Sequence, residues 1–135
     1  MALNVVVVSG NVRIVDDEVF RDEVCTATLS GSAQLTSEGQ PSELVEFSKG
    51  CGGEVRAELD LNCVRLDNGD VKINGEARLY EGTSENTGDL EDTKSLSYLV
   101  PKGRTITKTV KLRNTETFGG DTAKFTLTLV NIQAA

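Results

Sequence analysis

Apolar and polar residues alternate with a period of two along nearly the whole chain, which is the mark of half-buried strands in antiparallel sheets. Val55, Ala57, Leu59, Leu61 and Cys63 fall on one face of such a strand, and Arg56, Glu58, Asp60 and Asn62 on the other. The turn LDNGDV follows, and Asn68-Gly69 supplies the positive backbone angles that a two-residue hairpin requires. On the return, Val71, Ile73, Ala77 and Leu79 oppose Lys72, Asn74, Glu76 and Arg78. Further on, Leu96, Tyr98 and Val100 alternate with Ser95, Ser97 and Leu99 until Pro101-Lys102-Gly103 breaks the strand. In TITKTVKLR, Ile106, Val110 and Leu112 share a side on which Lys108 is the exception. An inward lysine suits an edge strand, because it discourages pairing with another chain. Ala123, Phe125, Leu127 and Leu129 form the last such set.

The first half is less regular. Val6, Val8, Val12 and Ile14 keep one register across Gly10, a position that suggests a bulge. Cys25, Ala27, Leu29, Ala33 and Leu35 form another set, and Val45 with Phe47 a short one. No helical periodicity is found. The pattern predicts one domain over residues 1–135, all-β, an antiparallel two-sheet β-sandwich of about eight strands. The run LNVVVV near the start is apolar on both faces. It reads as a central strand covered on both sides or a terminal strand between the sheets; the functional alternative is a strand that pairs with a second subunit.

Because antiparallel connections reverse direction at each step, loops fall alternately at the two ends, and counting strands assigns each to an end. Residues 16–23, the KGCGG segment, residues 80–94 and residues 114–121 then share one end. Twelve of the 21 acidic residues gather there: Asp16, Asp17, Glu18, Asp22, Glu23, Glu81, Glu85, Asp89, Glu91, Asp92, Glu116 and Asp121. Calcium takes six to eight oxygen ligands, which glycine-bearing acidic loops offer, although the EF-hand spacing is absent. Asp16, Asp17, Glu81, Asp89, Glu91, Asp92 and Asp121 are the candidate calcium ligands. A solvated loop is the plainer account of residues 80–95, with Asp89 capping a single helical turn and Leu90 anchored in the core.

Charge and composition narrow the functional classes. With 14 basic against 21 acidic residues, the net charge of -7 argues against nucleic acid and anionic membranes as partners, and leaves a cation, a basic partner or a neutral ligand. No apolar run reaches the ~20 residues of a membrane-spanning helix, and the N-terminus lacks the features of a secretory signal. A soluble chain is expected, either cytoplasmic or a fragment of something larger. The absence of histidine rules out Ser-His and Cys-His nucleophilic systems, and the scarcity of aromatics argues against a glycosidase.

Three cysteines without a CxxC motif favour three buried thiols; if one pair is oxidised, the strand count makes it Cys25 with Cys51, since Cys63 lies twelve residues up a strand. The expectation is a non-catalytic binding module whose acidic end takes calcium or a basic partner. The alternative is a structural protein that self-assembles through strand or sheet-edge contacts, so that the chain is a monomer or a strand-mediated homo-oligomer. An acid-base hydrolase ranks last.

Overall fold

The computed structural model describes residues 3–17, 22–36, 39–114 and 120–134. Eight strands follow one another: β1 (Leu3–Asp16), β2 (Glu23–Leu35), β3 (Ser42–Cys51), β4 (Val55–Arg65), β5 (Val71–Glu81), β6 (Leu90–Val100), β7 (Thr105–Arg113) and β8 (Thr122–Ala134). They form two four-stranded antiparallel sheets, sheet A in the order β2-β1-β8-β7 and sheet B in the order β3-β4-β5-β6. The expected sandwich is therefore present, with a simple topology. Strands consecutive in sequence are neighbours in space, β1 and β8 close the ring, and the chain crosses between sheets at the β2/β3 and β6/β7 seams.

The alternating sets account for the core. All five apolar residues of β4 and all four of β5 named from the pattern are 1% exposed or less, as are Val6, Val8, Val12 and Ile14 in β1. Phe47 of sheet B meets Phe125 of sheet A edge to face at 6.1 Å, an arrangement that suits the ring quadrupoles. β1 is hydrogen-bonded on both edges, to β2 and to β8, so LNVVVV is a central strand and its edges are not available to a second subunit. Both registers run through Gly10 without a shift, so no bulge forms there. The bulges lie between Glu43 and Val45 and between Leu79 and Tyr80. β7 is an edge strand as Lys108 suggests; its ammonium lies 5.6 Å from the Tyr98 ring centre and covers the β6/β7 seam.

The β4–β5 hairpin differs from the two-residue turn. The Leu66 N–H donates to the Asp70 carbonyl, and the Gly69 N–H to the Leu66 carbonyl. Gly69 alone has a positive φ, +88°, while Asn68 does not. This is a three-residue loop with glycine in the left-handed position, and Asn68 contributes instead by accepting the Asp70 N–H through its side chain at 3.0 Å.

One end of the sandwich is closed by buried amides that periodicity alone did not single out. Asn4 and Asn131 are both 0% exposed, because they continue the inward faces of β1 and β8 past the last apolar residue. The Asn4 amide donates to the Gly69 carbonyl and to Asn131 Oδ1, each at 2.8 Å. Asn131 donates to the carbonyls of Gly69 and Val100, each at 3.0 Å. Arg65 Nε reaches Asn4 Oδ1 at 2.6 Å. Four strands and one turn thus share one network, which a low-dielectric interior demands of polar groups it encloses.

Candidate functional site

The opposite end carries the connections β1–β2, β3–β4, β5–β6 and β7–β8, the same four that the strand count placed together. Direct contacts join them. The Asp17 N–H donates to Asp121 Oδ1 at 2.8 Å, and the Gly120 N–H to Asp17 Oδ2 at 2.9 Å, which ties the first connection to the last. The Gly53 N–H donates to Glu85 Oε2 at 2.8 Å and the Gly82 N–H to the Glu54 carbonyl at 3.1 Å, which ties the second to the third. Asn114 bonds Glu81, and the Arg113 N–H donates to Asp92 Oδ2 at 2.8 Å, so sheet A is joined to sheet B.

A covalent staple sits beside these bonds. Cys25 of β2 and Cys51 of β3 form a disulfide between the two sheets. Three reduced thiols are therefore not found, and the oxidised pair is the one that the strand count singles out. Both cysteines sit at the loop end of neighbouring edge strands, whereas Cys63 is buried in β4. Burial pushes the Cys63 thiol up to about 11.

The seven candidate ligands divide by environment. Asp16 and Asp121 are 1% and 3% exposed, continuing the inward faces of β1 and β8 as Asn4 and Asn131 do at the other end. The Asp16 carboxylate lies against Gly52, whose φ is +67°; a Cβ there would come within 2.1 Å of Asp16 Oδ2, so only glycine fits beside it. Asp17 completes this group through its bonds to Asp121 and Gly120. Glu81, Glu91 and Asp92 are half-buried at the β5/β6 side, and Asp89 is exposed. The structure thus brings Asp16, Asp17 and Asp121 to the β1/β8 side and leaves the other four across the seam. Among the described residues, no group of three or more acidic or cysteine side chains is placed to hold a metal ion. Glu18 and Glu116 lie outside the described residues.

Two local expectations fail here. Leu90 is 48% exposed rather than anchored, and residues 90–93 belong to β6 rather than to a helical turn. The bulge at Leu79/Tyr80 explains this: it pairs Leu90 with Tyr80 on the outer face and sets Asp92 opposite Leu79, where its carboxylate reaches β7. Arg56 braces the loop from below, 4.2 Å over the Tyr80 ring and bonded to the Glu85 carbonyl.

Chemically, this end uses some carboxylates as internal fasteners on backbone N–H groups and turns others outward. Exposed acids include Asp22, Glu23, Glu54 and Asp89. No helix of the described residues is long and apolar enough to cross a membrane. No family model matches the chain, and no curated protein matches it. Among solved structures it is similar to the secretin InvG of the Salmonella SPI-1 type III secretion injectisome (residues 176-end, open gate state), at 11% identity and a TM-score of 0.27. That match covers 98% of this chain and 57% of the other. A likeness this slight carries no weight for function.

Proposed function

We propose that this protein is a non-catalytic interaction module that engages a basic protein segment through its acidic loop end. The observation that carries the reading is the convergence of four connections into one hydrogen-bonded end with exposed carboxylates around its rim. Because the inner carboxylates already hold backbone donors, the end is shaped before any partner arrives, which lowers the ordering cost of binding. The lack of histidine supports a binding role over catalysis. The disulfide favours an oxidising compartment as the place of work.

Calcium is the second candidate ligand for this end, where Asp17 and Asp121 lie together. Thermal melts separate the two. A lysine-rich peptide should raise the melting temperature at low salt and lose that effect at high salt. Calcium up to about 10 mM should raise it only if the metal reading holds. No shift with either ligand would contradict the proposal.

A further inference from the structure

The outer face of sheet A carries a row of cations, and that of sheet B a row of acids set among Arg56, Lys72 and Arg78. On sheet A, Arg13 of β1 is directly opposite Lys124 of β8, and Lys124 opposite Lys111 of β7, with Thr26 of β2 completing the row. All four are exposed. Arg113 adds a fourth cation one pair further on, and the strands turn no carboxylate outward on this face. Arg13, Lys111, Arg113 and Lys124 flank one groove, and none of them makes an ion pair among the described residues.

On sheet B, Glu46 of β3 faces Asp60 of β4, and Asp60 faces Glu76 of β5, with Ser95 of β6 completing the row. Glu43 and Glu58 flank it. Arg78 bonds Asp60 and Glu58 and lies 3.8 Å from Glu76, yet it leaves Glu46 beside Glu43 and Asp60. A hydrogen bond to Glu43, then the negative charges of Glu43, Asp60 and Glu58, hold the Glu46 carboxyl above its ordinary range.

Like charges set directly opposite in a sheet destabilise it; Arg78 relieves part of the acidic row, and no ion pair among the described residues relieves the basic one. Strands are about 4.8 Å apart, so each row presents three charges over about 10 Å, one row the counterpart of the other. A free anion would answer only the basic row and a free cation only the acidic one. One contact between two copies answers both. We propose that the outer face of sheet A docks on the outer face of sheet B of a second copy, basic row over acidic row. The contact is heterologous, so it leaves a free face at each end and extends the chain head to tail.

Sedimentation or light scattering from about 10 μM to 1 mM tests this in 20 mM and 500 mM NaCl, a range over which screening of exposed charges becomes severe. The wild type should gain mass with concentration at low salt and stay monomeric at high salt. K111E/K124E and E46K/E76K should each be monomeric alone. Mixed, they should associate, since one retains the acidic face and the other the basic face. Glu46, Lys111 and Lys124 are exposed and Glu76 is half-buried, and matching melting temperatures would show that the variants fold. A wild type that is monomeric at 1 mM in low salt would overturn the proposal. So would association that survives E46K/E76K, which would indicate the loop end instead. Binding of a heparin fragment by Lys111, Lys124 and their neighbours without self-association would assign the basic row to an anionic polymer and equally overturn it.

Discussion

Removing the Cys25–Cys51 disulfide should cost a substantial part of the domain's stability, by a mechanism read from chain connectivity. The two cysteines are 26 residues apart and join edge strands of different sheets. Releasing a loop of that length returns to the unfolded chain an entropy worth about 3.5 kcal/mol at room temperature. For a chain of 135 residues the unfolding entropy is roughly 0.28 kcal/mol/K, so the melting temperature should fall by about 12 °C. Cys25→Ala/Cys51→Ala is the variant, with Cys63→Ala as the control for losing a buried sulfur. Urea unfolding followed by far-ultraviolet circular dichroism gives the free energy, and the slope shows whether the unfolded state has expanded. A loss below about 1 kcal/mol would refute the reasoning, because the β2/β3 seam would then be closed by packing alone.

Other outcomes follow from single groups. Cys63, buried and with its thiol pushed up to about 11, should react with a disulfide reagent at pH 8 only as fast as the protein opens; immediate labelling of the native state would contradict its placement. Asn131→Ala removes the side-chain donor to the Val100 carbonyl and the acceptor of one Asn4 amide hydrogen, and should destabilise the fold by roughly 2 kcal/mol in denaturant titration. Glu46 has a raised carboxyl in the folded state, so its contribution is most favourable at low pH and is lost as pH rises through the folded value. Glu46→Gln should therefore melt higher than wild type at pH 7, with the difference gone by about pH 3; the reverse order would contradict the like-charge row.

How legible each feature was depends on the range of the interaction behind it. The strands of the β4–β5 hairpin were plain because alternation there is unbroken from Val55 to Leu79, save at Gly75, and each inward residue meets the core. The shared loop end was legible because it requires only the parity of strand reversals, and the same parity put Cys25 beside Cys51. The odd number of cysteines pointed the other way, since it says nothing of distance. Asn4, Asp16, Asp121 and Asn131 were visible as continuations of inward faces, but a polar residue at a strand end reads equally well as the start of a loop. Leu90 was misplaced because a bulge shifts parity, and no residue type announces one. The charged rows were the least legible: Arg13, Lys111 and Lys124 come from distant parts of the chain, and only the registers of β1, β7 and β8 set them side by side.

Amide chemical shifts of labelled protein, followed as a lysine-rich peptide is added at low salt, bear most directly on the proposed binding end. Shifts should concentrate at residues 16–17, 52–54, 82–89 and 120–121 and fade as salt is raised. Perturbations centred on Glu46, Asp60 and Glu76, or none at all, would contradict the assignment of binding to the acidic loop end.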